Sequence, residues 1–174
     1  MTSRTVFFNI LRFFFLIFFQ GLILNHVNLG ELGGYINPYF YIYFILLLPF
    51  STPRWMLLIL AFILGIGIDM FTNTIGLNAA ACVIMAFVRP FVISAISSGP
   101  ESLIGDTPSL KNQGLKWFLY YAIILILVHH TSLFYLEIFR FSEFFATFVR
   151  VLLSSAFTLI LVMISEYIIY SGNK

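Results

Sequence analysis

Between Val6 and Leu24 the chain reads VFFNILRFFFLIFFQGLIL, a run that carries one charge, Arg12. Runs of the same character recur at 55–71, 77–96, 117–136 and 144–170, and a shorter one, PYFYIYFILLLPF, lies at 38–50. A helix that crosses a bilayer needs roughly 20 apolar residues, so this succession points to an all-α polytopic membrane protein. Composition excludes the alternatives: 61% hydrophobic and 9% charged residues leave too little polar surface to clothe a soluble domain, and 174 residues leave no room for one beside the spans. The net charge of +2 forms no basic block able to neutralise phosphates, so nucleic acid is not an expected partner. A single cysteine, Cys82, permits neither an internal disulfide nor a Cys-based metal cluster.

The expected organisation is one integral membrane domain over 1–174, with about six spans at 6–24, 36–50, 55–71, 77–96, 117–136 and 144–170. The first run is long, contains Arg12 and lacks an A-x-A-like cleavage site before NHVNLGELGG, so it reads as a retained span rather than a leader. Asn37-Pro38 suggests a helix start with Asn as cap and Pro in the first turn; Ser51 to Pro53 repeats the device, and Ser142 is a further candidate cap. The second span is short enough to be re-entrant or interfacial instead. SSGPESLIGDTPSLKNQGLK, 97–116, is the one hydrophilic loop. With six spans, Arg4, Arg54, Lys111, Lys116 and Lys174 fall on one side and Arg140 on the other; the positive-inside rule then expects both termini in the cytoplasm.

Charges inside apolar runs are costly in hydrocarbon and mark the residues that matter most. At 1.5 Å per residue, Asp69, His129, His130 and Arg150 share one level toward the outer face, and Arg89 and Glu166 share an inner level with Arg12 as a possible third member. The expected partners are therefore Asp69 with Arg150, as an ion pair locking the third and sixth spans or as a ligand site, and Arg89 with Glu166. Ala61, Gly65 and Asp69 repeat every four residues, and Ala79, Cys82, Ala86 and Arg89 at three, four and three, so both helices carry a small-residue face that admits close approach. His129 and His130 are adjacent and point about 100° apart on a helix, which argues against one shared metal; one of them could tune proton affinity in the outer layer. No nucleophile and base stand in a recognisable order, and GIGID lacks the Lys-Ser/Thr of a phosphate loop. Neither catalysis nor a cofactor is expected.

The segment GIGIDMFTNTIGLNA, 65–79, resembles the signature of the MreD family of rod shape-determining membrane proteins: glycine four residues before an aspartate, a polar turn, then Gly-Leu opening the next span. The likeness attaches to Gly65, Asp69 and Gly76, and Arg89 and HHTSLFYLEIF resemble a Phe-rich branch of the same family. It implies a non-enzymatic scaffold of the bacterial cytoplasmic membrane that acts with MreC. Beside MreC it would link, indirectly, the MreB filament inside to the RodA glycosyltransferase and its penicillin-binding transpeptidase. It also implies a fold like the substrate-binding component of energy-coupling-factor transporters. That likeness supplies a rival, a small-solute-binding component of a transporter, although such a component would need small residues on span one where FFNILRFFFLIFFQGL offers phenylalanines. A carrier of a lipid-linked precursor, with a headgroup in the polar layers, is a third reading.

Overall fold

The computed structural model describes residues 3–27, 36–74, 76–99, 103–138 and 144–171, with the side chains of 3–6 outside that description. The expectations placed on Arg140, Ser142, Lys174 and the side chain of Arg4 lie outside the described residues. No strand occurs among the described residues. Helix α1 is Ser3–Phe18 and continues through a π-helical turn, Phe19–Ile23, and a 3-10 turn, Leu24–His26. A 3-10 turn, Phe40–Ile42, leads into the short α2, Tyr43–Leu47. The remaining helices are α3 (Arg54–Thr72), α4 (Leu77–Ile96), α5 (Leu110–Gln113), α6 (Leu115–Ile138) and α7 (Phe144–Ser171).

Among the described residues five helices are long and apolar enough to cross a membrane: Phe7–His26, α3, α4, α6 and α7. The sixth expected span, 36–50, is not a continuous helix. Ile36 to Tyr39 and Leu48 to Phe50 are non-helical, and only the stretch between them is wound. The segment nevertheless connects the two ends of the bundle. Ile36 to Tyr39 line a cleft together with the ends of α3 and α6 and the starts of α4 and α7. Leu47 lines a cavity with Thr107, Ser109 and the end of α7, and the Phe50 N–H donates to the Asp106 carbonyl at 2.9 Å. Fifteen helical residues would reach only about 22 Å, short of the roughly 30 Å hydrocarbon core. Non-helical chain rises by up to about 3.3 Å per residue, which is how so short a segment covers the distance.

Two expected helix starts are corrected by this geometry. Asn37 does not cap a helix, because the chain beyond Pro38 stays non-helical until Phe40. At α3 it is Pro53 that occupies the cap position, in extended backbone and with no side-chain cap bond, so Ser51 plays no part.

The broken segment sits in the centre. Every residue from Phe40 to Leu48 is buried. Around it α3, α4, α6 and α7 pack in that order and α1 lies against α3, while no extended contact joins α7 to α1. The outward faces of the five long helices are apolar, with Phe7, Phe14, Phe62, Phe87, Leu115, Phe145 and Ile164 all about half exposed or more. That is the pattern of a chain solvated by lipid rather than water.

Candidate functional site

Backbone that leaves the helix at membrane depth is tolerated only where protein supplies its hydrogen bonds. The broken segment is provisioned residue by residue. On its entry side the Asn37 N–H donates to Ser154 Oγ at 3.0 Å and the Tyr39 N–H to Thr158 Oγ1 at 3.1 Å, both from α7. Gln20, turned inward by the π-helical turn of α1 and 1% exposed, accepts from the Phe40 N–H at 2.9 Å through Oε1 and donates to the Pro38 carbonyl at 2.9 Å through Nε2. On the exit side the Tyr121 hydroxyl donates to the Leu46 carbonyl at 2.9 Å and the Arg89 guanidinium to the Leu48 carbonyl, while Arg89 Nε donates to the Tyr121 oxygen at 2.7 Å.

Arg89 therefore serves the Leu48 carbonyl at the C-terminal end of α2, a favourable place for a cation, and the expected pairing with Glu166 is corrected. The two Glu166 oxygens accept from the Tyr43 hydroxyl at 2.6 Å and the Leu110 N–H at 2.7 Å. Arg12 and Glu166 line a common cavity.

Asp69 answers to the same logic at the opposite end. Gly76, the cap of α4, has φ +77 and no side chain to offer the first turn. Asp69 reaches over from α3 instead: its Oδ1 accepts from the Asn78 N–H at 3.0 Å, the Asn78 amide at 2.9 Å and the Thr74 hydroxyl at 2.5 Å, and its Oδ2 from the Ala79 N–H at 3.1 Å. The carboxylate caps a neighbouring helix where the dipole favours it. Its reach depends on Gly65, whose added Cβ would lie 2.3 Å from the Ala79 Cα and 2.7 Å from the Asn78 carbonyl oxygen. Ala61, Ala79, Cys82 and Ala86 are all buried; Ala79 lies against Gly65, whereas the Cys82 sulfur lies 4.0 Å from His129 Nε2 of α6.

The expected Asp69–Arg150 pair is corrected as well. Arg150 forms its ion pair with Glu137 of α6 at 3.1 Å and lies over the Phe134 ring at 4.3 Å. Asp69 takes its donors from the N-terminus of α4 and Arg150 its acceptor from α6, so among the described residues the two charges do not pair.

The histidines join the same layer through different neighbours. Asn78 must turn its amide nitrogen to the Asp69 carboxylate, so its oxygen accepts from the Tyr41 hydroxyl at 2.9 Å. That uses the one Tyr41 proton; the contact of 2.9 Å between Tyr41 and His129 is then a donation from Nε2–H to the phenol oxygen, and His129 Nδ1 is buried with no partner among the described residues. His130 donates through Nδ1 to the Ile126 carbonyl at 2.9 Å, and in the neutral ring its Nε2 accepts from the Thr158 hydroxyl at 3.1 Å. Among the described residues no group of three or more His, Cys, Asp and Glu converges as a metal site would require. Gln20, Ser154, Thr158, Tyr41 and Asn78 were not singled out by the sequence reading. Their signal was faint: isolated hydroxyls and amides within runs otherwise apolar.

Above this layer opens a polar cleft of about 380 Å³, lined by Asn25, His26, Asn37, Thr72, Asn78 and Arg150 among others. The arrangement defines an α-helical polytopic membrane protein with a closed polar interior and a polar vestibule at the end away from Ser3 and Ser171. Comparisons of the chain with protein-family models, with curated proteins and with solved structures find no match.

Proposed function

We propose that the chain is a non-enzymatic membrane scaffold of the bacterial cell-elongation machinery, of the MreD kind, acting beside MreC in the cytoplasmic membrane with both termini in the cytoplasm. The observation that carries the reading is how the polar groups of the interior are used. Asp69, Gln20, Arg89, Tyr121 and Thr158 each hydrogen-bond backbone, directly satisfying a helix end or the broken segment. Such an interior holds one arrangement of helices and offers its outside to partners, as a scaffold requires. Gly65, Asp69 and Gly76, which carry the family resemblance, meet in one joint between α3 and α4, so the likeness rests on residues with a common structural task.

The second reading is a small-solute-binding component, favoured by the polar cleft of about 380 Å³, a size within the range of ligand sites. Depletion of the protein separates the two. The scaffold reading expects rod-shaped cells to become round, with no nutrient restoring them; the solute reading expects unchanged shape and growth recovered by a particular vitamin or metal. His26→Trp, which places bulk in the cleft from an exposed position, should restore rods to depleted cells if the cleft is incidental. Depleted cells that keep their shape would overturn the elongation reading.

A further inference from the structure

The ring of long helices is open between α7 and α1, and the opening has two chemically distinct parts. Toward the lipid it is an apolar groove of about 560 Å³ with Phe8, Leu11 and Phe15 of α1 on one wall, Ile168 and Ile169 of α7 on the other, and Phe40 of the broken segment as its floor. At the end nearer Ser3 and Ser171, Arg12 and Ile169 line both this groove and a polar cavity of about 200 Å³ that also holds Lys111, Ser109 and Asn112. Arg12 thus stands where an apolar slot meets a polar one, and Lys111 lines the polar one.

Among the described residues neither cation is locked in an ion pair, although Arg12 lies within electrostatic reach of Glu166 and Tyr43. The bond formed by Arg12 is a 3.3 Å donation to the Asn9 side chain. Glu166, the acid in the cavity, already accepts a donor on each oxygen. The pattern is complementary to a molecule with a hydrocarbon chain and an anionic head, and basic pockets between membrane helices are a known way of holding such headgroups. A transmembrane helix suits the slot poorly, since close helix approach needs small residues and the walls carry Phe, Leu and Ile.

We infer that the α1–α7 opening is a lateral binding site for one membrane lipid with a phosphate-bearing headgroup, its chain in the groove and its phosphate between Arg12 and Lys111. The site goes beyond the scaffold reading and stands whether or not that reading holds. A lipid seated there fills the ring's gap and lies against the broken segment at Phe40.

The test is native mass spectrometry of the full-length protein released from nanodiscs containing equal amounts of dioleoyl phosphatidylglycerol and dioleoylglycerol. The expected result is one retained phosphatidylglycerol in preference to the phosphate-free lipid, weakened about fivefold by Lys111→Gln and again by Arg12→Gln, and preserved by Arg12→Lys. Lys111 is exposed on α5, so its variant reads the site without risk to folding. Ile168→Trp, which fills the groove from an exposed wall position, should expel the lipid while leaving thermal unfolding unchanged. Equal retention of both lipids, or retention indifferent to the two charge variants, would overturn the site. So would displacement of the lipid by inorganic phosphate alone, which would make the cavity a site for a free anion. Unchanged lipid retention in Ile168→Trp, together with loss of a co-purifying membrane protein, would make the opening a protein interface instead.

Discussion

The two seams of the helical ring at α3–α4 and at α7–α1 are built from opposite materials. At the first, Gly65 brings one helix against the backbone of the other, small residues line the contact, and the Asp69 carboxylate of α3 completes the first turn of α4. At the second, phenylalanines and isoleucines face each other across a groove with no extended helix contact. The difference shows what seals a helix pair in lipid. Large apolar side chains are as comfortable in hydrocarbon as against one another, so they supply no net drive to close a seam, whereas small residues and satisfied polar groups do. The bundle is locked on one side and left open on the other by residue choice alone.

The largest loss of stability is expected at Gly65. A Cβ there meets the Ala79 Cα at 2.3 Å and the Ala79 nitrogen at 2.5 Å, and backbone cannot yield as a side chain can. Gly65→Leu is expected to cost about 3 kcal/mol or more, read as loss of folded protein in detergent extracts or a large drop in thermal midpoint. A variant that folds like wild type would show that the seam is not sealed by close approach.

Asp69 comes next. Asp69→Leu leaves the N–H groups of Asn78 and Ala79 without their acceptor, an expected loss of about 1–3 kcal/mol. Combined with Arg150→Leu, the losses should add within about 0.5 kcal/mol, because the two residues share no partner. Recovery in the double variant, measured by denaturant or thermal unfolding, would reinstate the ion pair that depth alone suggests. Arg89→Leu and Tyr121→Phe should behave in the opposite manner, with coupling of about 1 kcal/mol, since the two side chains are bonded to each other and both serve the carbonyls that end α2.

This contrast also marks what could be read in the letters of the chain. The long helices were legible because uninterrupted apolar runs of that length have few other solutions in a bilayer, and α4 spans the expected 77–96. The Ala61–Gly65–Asp69 face was legible because side-chain spacing maps directly onto a helix surface. The partners of the charges were not. Matching Asp69 to Arg150 and Arg89 to Glu166 by depth treats charges as seeking charges, while the partners are backbone groups of α4 and of the broken segment, which exist only once the fold does. The broken segment was legible only through its length: PYFYIYFILLLPF is too short for an ordinary span, but nothing in it tells where the helix unwinds. The clue lay elsewhere, in Gln20, Ser154 and Thr158, polar residues that make sense only as acceptors and donors for unwound chain.

The smallest expected effect is the sharpest statement of the contrast. Phe15, on the wall of the open seam, is 58% exposed, and its ring stacks on Phe19 of its own α1 extension at 5.5 Å. In water, removing a phenyl ring from a packed site costs about 3–5 kcal/mol, but here the lost neighbours are mostly lipid, which closes over the alanine. Phe15→Ala should therefore change unfolding stability by no more than about 0.5 kcal/mol, while Gly65→Ala, which adds a single carbon at the closed seam, should cost about 1–3 kcal/mol. Adding one methyl would thus hurt more than deleting an aromatic ring. Thermal unfolding of the two variants side by side in the same nanodiscs decides it. Equal destabilisation, or a larger loss in Phe15→Ala, would mean that protein closes the α7–α1 seam after all and that the two sides of the ring obey one rule.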